Sequence, residues 1–220
     1  LQVVKSNAWA DHNRYKRPLD GAWPNEAGKK YWVSYLLDVK DTNVVGDTYF
    51  MVKLYKGAGE LVAIGKGGGG PTPPVFTCGS GWPGNTGDDV SATPITAGPV
   101  WIVAMVKMSG GTGSDRTYMW IDPDPSVEPD TNDAIVKRNS SMPEGFDHIA
   151  LEFGGDGADV RLVFDEITVA SSFADLTAET PTGTVARESF SYPATSVAGL
   201  GSASNGFSGS WVTDEAGGIE

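Results

Sequence analysis

The chain has one cysteine, two histidines and fewer basic than acidic residues, and each scarcity closes off a class of function. Cys78 has no partner for an internal disulfide. A lone thiol reads as a small, partly buried side chain. A catalytic thiolate would need a histidine and an electropositive setting, and neither His12 nor His148 is near it in sequence. With only those two histidines and no G-x-S-x-G turn, a Ser-His-Asp triad has no support. The 28 acidic against 16 basic residues give a formal net charge of −12. That excludes nucleic acid as an expected partner, because a phosphate backbone needs positive patches. It suits a soluble extracellular protein or one that meets divalent cations. No apolar run is long enough to span a bilayer, so membrane insertion is not expected. No segment of ten or more residues carries a helical period. No leader precedes Leu1, which predicts a mature segment or a piece of something longer.

What is present is period two. The chain is 40% hydrophobic, with 29 glycines and 14 prolines to turn it. Residues 31–39 (YWVSYLLDV) place Tyr31, Val33, Tyr35, Leu37 and Val39 on one face. Residues 49–55 do the same with Phe50, Val52 and Leu54, and Gly57–Gly59 turn them into a hairpin with 61–64. Residues 100–108 (VWIVAMVKM) are apolar on both faces, as a central strand covered on both sides would be. Residues 116–121 (RTYMWI) are their hairpin partner. In 146–153, Ile149, Leu151 and Phe153 oppose His148, Ala150 and Glu152. Between these runs, 14–19 lead to a turn at Asp20–Gly21, and 76–99 read as an irregular loop packed by its aromatics. The glycine run 65–74 is not a phosphate loop, since G-x-x-x-x-G-K-[ST] is absent and no helix follows. The fold class is all-β, an antiparallel β-sandwich.

The stretch that closes this body is 160–169 (VRLVFDEITV). Val160, Leu162 and Phe164 alternate, and after Asp165–Glu166 the apolar phase slips by one to Ile167 and Val169. A one-residue slip predicts a β-bulge that re-aims one of the two carboxylates.

A glycosidase would need two carboxylates facing each other across a cleft. Glu152, Asp165 and Glu166, on strands expected to be neighbours, are the candidates. No clustered E-x-D-x-x-E arrangement accompanies them, and no enzymatic activity is expected. The loop 122–133 (DPDPSVEPDTND) offers Asp122, Asp124, Glu128, Asp130 and Asp133 to a hard cation. It breaks the EF-hand pattern at Val127, so a solvated acidic loop is the competing description.

The hairpins, the DPDP loop after RTYMWI and the ending VRLVFDEITVASSFADL resemble bacterial laminin-G-like, concanavalin-A-like jelly-roll domains over about residues 31–176. Such domains occur in large secreted or surface proteins and often close on an F-D-E/N-I strand. They open on an acidic-x-Phe strand, a Gly/Asn-rich turn and G-x-W. Here Glu188-Ser189-Phe190 and the GSW ending at Trp211 carry that opening, but they follow the closing strand. The resemblance therefore implies a body at 1–176, a linker at 177–184, and opening strands at 185–220. Those strands complete the next copy or fold back on this one. It further implies a structural calcium between Glu188 and Asp165, and sugar stacking by the loop residues Trp9, Trp23 and Trp82. The implied function is a non-catalytic structural or adhesive module, secreted or at a bacterial surface. Its partners would be other copies of itself, assembled head-to-tail through Glu188, Phe190, Tyr192, Phe207 and Trp211. The alternative is a calcium-stabilised, lectin-like module that binds polysaccharide, with glycoside hydrolysis a distant third.

Overall fold

The computed structural model describes residues 2–5, 13–40, 48–68, 73–80, 90–111, 114–155, 160–178, 183–190 and 206–213. These form two antiparallel sheets packed face to face, a β-sandwich. The first sheet runs in the order β1 (Gln2–Lys5), β12 (Val160–Ala170), β3 (Lys30–Val39), β8 (Gly98–Lys107), β9 (Asp115–Ile121), β10 (Val136–Ser140). The second runs β14 (Val212–Thr213), β2 (Asn13–Trp23), β11 (Phe146–Gly154), β4 (Tyr49–Lys56), β5 (Gly59–Lys66), β6 (Val75–Ser80), β7 (Val90–Pro94). One further strand, β13 (Val185–Glu188), joins the first sheet on β12. Helix is confined, among the described residues, to α1 (Ala174–Thr177) and a 3-10 turn at Thr131–Asp133.

The alternation places the core. Tyr35, Leu37, Phe50, Val52, Leu54, Ile149, Leu151 and Phe164 all lie in one buried cluster between the sheets. In β8 the even residues Ile102, Ala104 and Val106 join that cluster. Val103 and Met105 join a second cluster on the outer face of the first sheet, with Trp32, Trp120 and Phe173. A strand covered on both sides is what the two-faced apolar run predicts.

Four strands depart from the sequence expectation. β2 runs through Asp20–Gly21 as one strand, with Gly21 at φ 77 as a kink rather than a turn. β6 and β7 lie within the expected loop 76–99, where short polar strands at a sheet edge carry little alternation. β10 (VKRNS) was likewise invisible, its outward residues being polar. The expected neighbours β11 and β12 belong to different sheets.

The closing strand holds the predicted bulge. Pairing of β12 with β3 shifts between Asp165 and Thr168, and Glu166 sits at φ 50. Leu162, Phe164, Ile167 and Val169 are buried on both sides of it. On the outer edge of β12, β1 pairs with 160–163 and β13 with 167–170, so two segments far apart in sequence share one edge end to end.

Candidate functional site

The segment expected to complete a jelly roll pairs, in this chain, with its own body. β13 lies on β12, β14 lies on β2, and Phe207 bridges to Leu19. The segment thus spans both sheets at the same end of the sandwich. Gly206 makes this possible: at φ 82 it lies against the Val185–Ala186 backbone, where a Cβ would collide. Its carbonyl accepts the Asp20 N–H at 2.7 Å.

One residue of β2 collects the segment. Arg17 is 3% exposed and points inward, a position that alternation would give to an apolar residue. Its guanidinium pairs with the Glu188 carboxylate and donates from Nε to the Gly209 carbonyl at 2.9 Å. It also lies 3.9 Å from the centroid of the Phe207 ring and 5.9 Å from that of Trp211. Glu188 in turn accepts the Trp211 indole N–H at 3.0 Å and the Phe190 backbone N–H at 2.8 Å. Phe190 and Trp211 stack at 5.7 Å. The charge pair is buried, and both partners carry further hydrogen bonds, which is the condition for tolerating such a pair in a core.

Of the expected self-assembly residues, the structure brings together Glu188, Phe190, Phe207 and Trp211; Tyr192 lies outside the described residues. The expected calcium ligands are not joined in this way. Glu188 receives donors on both carboxylate oxygens, from Arg17, Trp211 and the Phe190 backbone. Asp165 lies at the bulge, where its Oδ1 accepts the Glu166 N–H at 3.0 Å. Among the described residues no group of three or more His, Cys, Asp or Glu side chains is arranged to hold a metal ion.

The acidic loop uses its carboxylates locally. Asp122 accepts the Trp101 N–H, Asp130 accepts the Asn132 N–H, and Glu128 pairs with Lys30. Asp124 accepts both the Ser126 hydroxyl and N–H, which hold its carboxyl below the ordinary value. Trp23 is also corrected. It ends β2, is 2% exposed, and packs 5.3 Å from Phe146 and 5.4 Å from Tyr31, its indole N–H donated to the Asp20 carbonyl. A ring enclosed on these sides cannot stack on a sugar. Trp9 and Trp82 lie outside the described residues.

The outer face of the second sheet holds a charged network. Glu152 accepts from Arg14 at 2.9 Å and Lys53 at 3.0 Å, and Lys53 also reaches Glu60 at 2.8 Å. The Tyr55 hydroxyl lies 3.3 Å from both carboxylates, and Lys16 sits 4.5 Å over its ring. Burial pushes the Glu152 carboxyl up, but the Lys53 and Arg14 charges and hydrogen bonds outweigh it and hold the group below its ordinary value. Burial, aided by Glu152, pushes the Tyr49 and Tyr55 hydroxyls up, away from neutrality. Glu152 therefore stays charged and these phenols stay protonated near pH 7. Glu152 and Glu166 are on the outer faces of opposite sheets, so the pair considered for glycoside hydrolysis does not share a cleft.

No family profile matches the chain, and no curated protein does. Among solved structures the chain is similar to one titled "Cellulose induced protein, Cip1". The identity is 12%, the match covers 78% of this chain and 86% of that one, and the TM-score is 0.41. At that score the likeness carries no argument about function, and the fold rests on the strand pairing itself. No helix among the described residues is long and apolar enough to cross a membrane.

Proposed function

We propose that the chain is a non-catalytic β-sandwich module of a secreted or surface protein, closed by a segment (183–213) that either its own body or a second copy can accept. The observation that carries this reading is the convergence of Glu188, Phe207, Gly209 and Trp211 on the single side chain of Arg17. Strand addition of this kind takes its strength from backbone pairing and its specificity from side chains in pockets. The slot supplies both, through the β12 edge and the Arg17 pocket. A donor passed to the next copy makes a heterologous contact, and such contacts run on as a filament when they do not close.

The non-catalytic part rests on the electrostatics. Each resolved shift among the described groups moves a carboxyl down or a tyrosine up, away from pH 7. Sites that do acid–base work shift pKa values toward it.

The test mixes two variants in a Cys78→Ser background, one with Lys16→Cys and one with Val212→Cys. These positions are register partners on β2 and β14. Exchange predicts a disulfide-linked dimer after co-refolding at high concentration. Two unlinked monomers under those conditions would rule exchange out.

A further inference from the structure

A groove of about 410 Å³ opens where the loop 122–133 arches between the end of β9 and the start of β10. That volume is within the ordinary range for binding sites, about 300–1,000 Å³. The hairpin explains its apolar surface. Ile121 ends β9, and Ile135 stands just before β10, its N–H donated to the Met119 carbonyl at 2.8 Å. Both line the groove half-buried. Trp120, a third lining residue, ties the loop down by donating its indole N–H to the Asp130 carbonyl at 3.1 Å. Val127 lines the loop side and is 61% exposed, more than any other large apolar side chain described.

Around this apolar surface the charge has one sign. Among the described residues, every charged side chain lining the groove is acidic: Asp124, Glu128, Asp130 and Asp133. Two lysines come near the loop, and only one of them meets a carboxylate. Lys30 pairs with Glu128 at 2.6 Å, while Lys137 donates to the Asn132 carbonyl at 2.8 Å. Asp124 and Asp130 each accept backbone N–H groups on one oxygen, and the side chain of Asp133 makes no hydrogen bond among the described residues. None of these three has a cation beside it there. Like charges held around an apolar surface repel one another, and a cation entering between them relieves that repulsion.

From this geometry we propose that the groove docks a basic segment of another protein, one that presents arginines on either side of an apolar residue. The apolar residue and the methylene stems of the arginines cover Ile121, Val127 and Ile135. The guanidinium heads reach the carboxylates along the rim, where charge-assisted hydrogen bonds are the strong ones. Two or more cations match three uncompensated carboxylates better than one does. A metal ion would leave the apolar surface uncovered, and the carboxylates are not arranged to share one. The groove lies apart from the Arg17 slot, and its occupation does not depend on exchange of the closing segment.

Titration calorimetry of the full chain at low ionic strength tests it, with the capped pentapeptide Gly-Arg-Leu-Arg-Gly as probe. The comparison ligands are Gly-Arg-Gly-Arg-Gly, Gly-Glu-Leu-Glu-Gly and spermine. The leucine-bearing basic peptide binds, loses affinity as salt is added, and binds more tightly than the glycine version or spermine; the acidic peptide does not bind. Asp133→Asn weakens binding by about twofold to fivefold, the worth of one exposed ion pair. Val127→Ser weakens the leucine peptide and leaves the glycine version unchanged. Both side chains are exposed, so neither variant shifts the melting temperature. Glu144→Gln removes the same charge in the turn before β11, at the other end of β10, and leaves affinity unchanged. No binding of the basic peptide at millimolar concentration would overturn the proposal. So would an equal loss in Glu144→Gln and Asp133→Asn, which would assign the attraction to the net charge of the whole chain. Spermine binding as tightly as the leucine peptide would overturn it too.

Discussion

The guanidinium of Arg17 lies 3.9 Å from the ring centroid of Phe207, a residue 190 positions further along the chain. That contact joins the second strand of the fold to the segment that closes it, and Glu188 completes the junction from the other sheet. Replacing Arg17 by Ala removes the cation that pairs with the buried Glu188 carboxylate. The expected cost is about 3–5 kcal/mol, the range for breaking one side of a buried pair. Urea denaturation measures it, and a loss under about 1 kcal/mol would mean that Glu188 finds water when the arginine is removed.

Phe164→Ala empties a site that is fully buried beside Tyr35, 5.9 Å between ring centroids. The expected loss is about 3–5 kcal/mol. A much smaller value would require the sheets to close over the gap.

Acid should weaken the fold through Glu152. Its carboxyl is held below its ordinary value of 4.5 in the folded chain, so its contribution is complete above that pH and is lost as pH falls through the folded value. Stability measured from pH 7 downward should decline below about pH 4.5, and Glu152→Gln should flatten that decline. An identical acid limb in the variant would assign it to other carboxylates.

Chelation is a separate matter. Because Arg17 fills the place beside Glu188, the melting temperature should be the same with and without a chelator. A drop of several degrees would put an ion at Asp165 after all.

The sequence shows some of this directly. The alternation in β3, β4 and β11 gave their inward faces, and the phase slip after Phe164 gave the bulge at Asp165–Glu166. Both are local patterns, set by which face of a pleated strand meets the core. Partner choice between strands is not local. β11 and β12 follow one another in sequence yet enter different sheets, and alternation is the same in either case. β2 was missed for a related reason: the charge at Arg17 and the ring of Pro18 break the apolar signal in the strand that holds the junction. Trp23 looked like a loop residue because Pro24 follows it, although its ring is core. On the outer face of the first sheet the re-aimed carboxylate was legible, but its neighbours follow from the cross-strand register, which pairs Leu36 with Trp101 and which no single segment encodes.

The most direct test of the closing segment separates it from the body. A chain ending at residue 182 is co-refolded with and without a synthetic peptide of residues 183–213, and heat stability is read by circular dichroism. The peptide should bind with defined stoichiometry and raise the melting temperature of the body, while a peptide carrying Glu188→Ala should raise it less. A truncated body that melts at the temperature of the full chain and ignores the peptide would contradict the account.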